Sequence, residues 1–136
     1  MITPQTIGNI LYRDSKGLGI KPIYVVFPGD NSDEVPSGEV KGERIVIHPK
    51  SQKPGTYWRK SFNEVNIFVP RISGRADRIR LEELEHKAME LLDGAVGFYQ
   101  GITYSYSIES IGTATDDALR CEYVNARILF EVLNVK

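Results

Sequence analysis

The sequence predicts an α+β domain: a mainly antiparallel mixed sheet of about five strands with two helices packed on one face. Three observations carry that prediction. Val65, Ile67 and Val69 alternate with Glu64, Asn66 and Phe68, the period-two pattern of a strand with one face on a core and the other largely wet. Beyond Pro70, Leu81, Leu84, Ala88 and Leu91 recur at the three/four spacing of a helix with one buried stripe, widened by Ile79 and Leu92. Near the C-terminus, two more alternating runs are placed to pair as a hairpin.

At the N-terminus, Thr3 followed by Pro4 is a cap with proline at the first helical position, and Ile7, Ile10 and Leu11 mark one apolar face. Gly17 is the expected stop. Gly8 in the middle costs about 1 kcal/mol relative to alanine, so this helix is expected to depend on docking against the sheet. Ile23-Tyr24-Val25-Val26-Phe27, bounded by Pro22 and Pro28-Gly29, has no polar alternation and reads as a short central strand.

Residues 29–42 form a polar loop with Asp30, Asp33, Glu34 and Glu39, but Asp30-Asn31-Ser32-Asp33-Glu34 lacks the ligand spacing of a calcium loop. Arg44-Ile45-Val46-Ile47-His48 is the next strand, stopped by Pro49. A long connection then places Tyr57 and Trp58 beside Arg59 and Lys60, with Lys50 and Lys53 nearby. That mixture anchors a protein interface or stacks bases along a phosphate path. The alternative is that Trp58 folds back onto the sheet edge.

The long helix starts at Asp77 or Ser73, after a Ser73-Gly74 turn, and stops at Gly94. Its outer face carries Glu82, Glu83, Glu85, His86, Lys87 and Glu90, with Glu83 and Lys87 as an i,i+4 pair. Arg71, Arg75, Arg78 and Arg80 crowd the end where the helix dipole is positive, an arrangement that costs about 0.3 to 1 kcal/mol per exposed first-turn arginine. Two readings fit this corner. An anion, a nucleic-acid strand or an acidic neighbouring subunit meets it, or the arginine arms bend back to Asp77, Glu82 or solvent.

Further on, Tyr104, Tyr106 and Ile108 alternate with Ser105, Ser107 and Glu109, and Gly112-Thr113-Ala114-Thr115-Asp116-Asp117 reads as the loop to the last strand. There Val124, Ala126, Ile128, Phe130 and Val132 form the inward face.

A chain of 136 residues fits one domain, 1–136, and can bury a real core. With 17 Lys+Arg against 18 Asp+Glu, the net charge of −1 supplies no global field for nucleic acid or an anionic membrane. The single cysteine, Cys121, cannot form an intrachain disulfide, so a reducing compartment is expected. No leader pattern and no apolar run of membrane-spanning length is present.

The two histidines, His48 and His86, have no partners at metal-ligand spacing, and Gly-x-Ser-x-Gly, Walker and dinucleotide patterns are all missing. Thus no catalytic, metal or cofactor residue is named, no cofactor is expected, and the chain reads as something other than an enzyme.

The order of these elements resembles the phage tail terminator and tail completion (head-tail joining) proteins. The resemblance is carried by the N-terminal helix, the strands at Ile23 to Phe27 and Arg44 to His48, the long loop, and Val65-Asn66-Ile67-Phe68-Val69-Pro70 leading into Leu81-Glu82-Glu83-Leu84-Glu85. It implies a structural phage or prophage protein forming a homo-oligomeric ring, a hexamer, at the head-tail junction. It further implies contacts to tail-tube and head-completion proteins, no membrane or sequence-specific nucleic-acid partner, and a place in the virion tail or neck after assembly in the bacterial host cytoplasm. Under it, Tyr57, Trp58, Arg59, Lys60, Arg71, Arg75, Arg78 and Arg80 are the interface candidates. The alternative is a small cytoplasmic ligand-binding protein or enzyme with a pocket between helix and sheet lined by Tyr104, Tyr106 and His48. A third reading, nucleic-acid binding through the 50–60 loop and the arginine corner, predicts steeply salt-dependent affinity.

Overall fold

In the computed structural model, which describes residues 3–29, 35–50 and 60–133, the chain runs through α1 (Pro4–Ser15), β1 (Ile23–Val25), β2 (Arg44–His48) and β3 (Lys60–Pro70). It continues through α2 (Arg78–Leu92), β4 (Ala95–Tyr99), β5 (Ile102–Asp116) and β6 (Cys121–Val132). The strands form one six-stranded sheet in the order β1-β2-β3-β6-β5-β4, parallel only between β1 and β2. Both helices lie on one face: Ile7, Ile10 and Leu11 of α1 and Leu81, Leu84, Ala88 and Leu92 of α2 share one core with Ile45, Ile47, Val65, Ile67, Val69 and the inward residues of β6. The α+β architecture expected from the sequence is therefore the one observed, with one strand more.

That extra strand is β4, which the sequence reading passed over. Gln100 and Gly101 both have positive φ, 47° and 82°, as a two-residue hairpin turn requires, and they close β4 onto β5 with Tyr99 opposite Ile102. Gly97 in β4 lies against the Tyr104 ring, where any side chain would collide.

Several local readings need correction. β1 is an edge strand, not a central one. Its apolar run lacks alternation because both faces are covered, Ile23 and Val25 by the helix-side core and Tyr24 and Val26 by a second cluster on the other face. That second cluster, built on Val40, Val46, Phe68 and Cys121, also removes the wet face expected of β3, where Asn66 and Phe68 are buried. The segment around Val40 straps across it, with the Val40 amide donating to the Leu119 carbonyl at 2.9 Å.

Residues 112–116 are strand rather than loop. A bulge between Ile108 and Ser110 shifts the alternation, so that Ile108 and Ile111 pack against the same core, and the turn falls at 117–120. Gly17 lies inside a short 3-10 turn (Lys16–Leu18), and Gly19, at φ 74°, reverses the chain instead.

Capping follows the sequence closely. Thr3 accepts from the Thr6 amide at 3.2 Å and Asp77 from the Arg80 amide at 3.2 Å, while Gly94, at φ 73°, follows the end of α2. Ser73 and Gly74, both at positive φ, make a tight turn closed by an Ile72–Arg75 bridge. Ile79, however, does not widen the buried stripe of α2: it is 77% exposed.

Candidate functional site

The predicted interface residues divide into three groups. Tyr57, Trp58 and Arg59 lie outside the described residues. Lys60 begins β3, is exposed, and pairs with Glu131 of β6 at 3.5 Å. The four arginines occupy the turn after β3 and the start of α2.

Within that corner, Arg71 and Arg80 are engaged inside the chain, mainly with acids distant in sequence. Arg71 bonds Glu122 through both Nε and Nη2, the latter at 3.0 Å, and reaches Asp117 at 3.3 Å. Arg80 forks onto Glu43 at 2.6 and 2.8 Å and touches Glu83 at 3.0 Å, so Glu83 pairs backward with Arg80 rather than forward with Lys87. Glu43, and more weakly Glu83, raise the Arg80 pKa, which leaves an always-charged group still more firmly charged. Arg75 and Arg78 differ: both are exposed and neither forms an ion pair among the described residues. Beside them stand Ile72, 60% exposed, and Ile79. The corner thus presents two free cations next to two uncovered branched side chains.

The opposite end of the sheet carries a second exposed surface that sequence reasoning missed. In β4, Ala95 and Tyr99 pack on the core, so the intervening Val96 and Phe98 point to the helix-free face, where they are 72% and 67% exposed. Phe98 stands opposite Thr103, and the Leu133 amide donates to the Thr103 carbonyl at 2.8 Å, which sets Phe98, Thr103 and the exposed Leu133 in one row across the strands. Two rows along, Leu129 faces Phe62, whose exposed ring is covered on one side by Arg127 at 4.4 Å. The signal was in the sequence as Val96-Gly97-Phe98 between Gly94 and Gln100-Gly101, an alternation too short to stand out.

Ten residues of β3 separate the Lys60–Glu131 pair from the Pro70–Cys121 pair, about 33 Å of strand, so the two surfaces lie at opposite ends.

The two tyrosines expected to line a pocket between helix and sheet are buried. Tyr104, Tyr106 and Phe130 stack on one another within the core, with ring centroids 5.2 to 6.2 Å apart. Arg13 donates to the Tyr104 hydroxyl, and the Tyr106 hydroxyl donates to Asp14 at 2.6 Å. Burial first, and the bond to Asp14 second, push the Tyr106 phenol well above its usual range. His48 is not near them by alternation, since Ile45 and Ile47 take the core face of β2 and leave His48 to the other. Burial likewise pushes the Cys121 thiol up to about 11, where it stays protonated and poorly nucleophilic at neutral pH. Among the described residues, no group of three or more His, Cys, Asp or Glu is placed to hold a metal ion, and no helix is long and apolar enough to cross a membrane.

No protein-family model matches the chain, and no curated protein matches it. Among solved structures it is similar to one whose name states no function, at a TM-score of 0.53 and 16% identity, over 98% of this chain and 96% of that one. A likeness at that identity extends to the fold alone.

Proposed function

We propose that the chain is a ring-forming structural subunit of a phage or prophage head-tail junction, a tail terminator or tail completion protein. The observation that supports it best is the pair of unlike exposed surfaces at opposite ends of the sheet. One is the β4 edge with Val96 and Phe98, which pairs with no further strand among the described residues, and the other is the Ile72, Arg75, Arg78 and Ile79 corner. A ring is built by head-to-tail contacts, in which each subunit offers two different surfaces to its two neighbours. An unpaired strand edge bearing large apolar side chains is a surface that folded proteins otherwise protect. The resemblance in element order supplies the biological setting.

Native mass spectrometry across protein concentration tests the reading. Wild type is expected to form a closed ring, a hexamer in the first instance. Phe98→Asp is expected to leave a monomer with an unchanged melting temperature, because its side chain is already outside the core. A wild type that stays monomeric at every concentration, both alone and with a tail-tube protein, would refute it.

A further inference from the structure

Arg44 is a buried cation that forms no ion pair among the described residues. Its side chain is on the helix-free face, opposite Phe68, in a residue only 6% exposed, and neither Nε nor Nη2 has a hydrogen-bond partner. No acid is within ion-pair distance of it among the described residues: Glu43 pairs with Arg80 and Glu122 with Arg71, while Asp116 accepts from the Leu119 amide at 3.0 Å. What it does have is the face of the Phe68 ring, 5.5 Å away. A cation–π contact offsets only part of the cost of drying a guanidinium, and buried charges in folded proteins are paired.

The neighbourhood adds a second donor. Val46, two residues along β2 from Arg44, stands opposite Asn66, which makes Arg44 and Asn66 diagonal neighbours within reach of a long side chain. Asn66 is buried, and its Oδ1 accepts from the Asn125 side-chain amide at 2.6 Å, while its own Nδ2 donates to no described residue. We propose that Arg44, with Asn66 beside it, is a receptor for an oxyanion, a carboxylate or phosphate group, on the helix-free face beneath the Val40 strap. A guanidinium fork fits two oxygens of such a group side by side, and the apolar surround of Val40, Val46, Phe68 and Cys121 strengthens the attraction by excluding water. The site lies in the covered half of the sheet, away from Val96 and Phe98.

Thermal melting at constant ionic strength, with chloride replaced stepwise by inorganic phosphate or by acetate, tests it. The wild-type melting temperature is expected to climb by several degrees over two decades of anion concentration, through binding to the folded state alone. Arg44→Met is expected to lose that response and to melt no lower than wild type in chloride, since an unpaired buried charge has been exchanged for an apolar chain of similar volume. Arg44→Lys, which keeps the charge without the fork, is expected to retain a weakened response and serves if the methionine variant does not fold. A wild type indifferent to both anions overturns the proposal, as does a response that survives in Arg44→Met.

Discussion

Gly8 shows how far a residue's meaning depends on what it touches. By propensity alone an alanine there would favour α1 by about 1 kcal/mol. Yet a Cβ at this position would sit 2.8 Å from Phe27, 3.0 Å from Val25 and 3.1 Å from Pro49, so the missing side chain is what lets the helix lie against β1. Gly8→Ala is therefore expected to destabilise by about 1 to 3 kcal/mol, read as a lower urea midpoint, and a stabilised variant would show that the helix–sheet contact yields easily. His48 supplies a pH dependence. Burial holds its pKa below the ordinary 6.5, more than Glu64 raises it. Between the two values the unfolded chain binds more protons than the folded one, so stability rises with pH through that window and the penalty vanishes above about 6.5. His48→Gln is expected to flatten the difference between urea midpoints at pH 5.5 and 7.5, and an undiminished difference would place the titration on other groups.

Elements owe their limits to local chemistry and their partners to distant residues. The cap of α2 was legible because Asp77 stands just before a periodic apolar run, and its carboxylate does accept from the Arg80 amide. Asp77→Ala is expected to cost about 1 kcal/mol, seen as a fall of a few degrees in melting temperature, and no change would mean that α2 is held by packing alone. The charges of the same helix start were only partly legible: Arg75 and Arg78 are exposed, as one reading allowed, but the main partners of Arg71 and Arg80 are distant in sequence. Acids nearby in sequence were the obvious mates for the arginines, whereas Arg80 finds Glu43 37 positions away and Arg71 finds Glu122 51 positions away. Strand β5 outran its expected end for a similar reason: a bulge moves the inward positions from even to odd numbers, and a strict period of two stops seeing the strand at that step.

On the scale of the whole molecule, the helix-free face is divided. Near β1 and β2 it is covered by the Val40 strap and its cluster, and near β4 it is open. If the open end and the arginine corner meet head to tail, opposite charges belong on the two sides of the joint. Arg75→Glu with Arg78→Glu is expected to weaken ring formation at least tenfold in dissociation constant while leaving monomer stability within about 0.5 kcal/mol, since neither side chain has a partner within the described chain. Sedimentation velocity reads the first and thermal melting the second. Assembly unchanged in the double variant would move the joint away from this corner.

The sequence by itself determined what depends on neighbours a few residues away: the Thr3 and Asp77 caps, the Ser73-Gly74 turn, the stop at Gly94, the inward face of β6, and hence the α+β class with both helices on one side. Hydrophobic period and capping chemistry are local, and they survive being read one segment at a time. Only the tertiary structure decided that β1 lies at the edge, that β3 pairs with β6, that Phe68 is covered and Phe98 is not, and which arginines are already paired. Those outcomes depend on which surfaces meet after collapse. A charged or apolar side chain carries no mark of whether a distant part of the same chain will arrive to cover it.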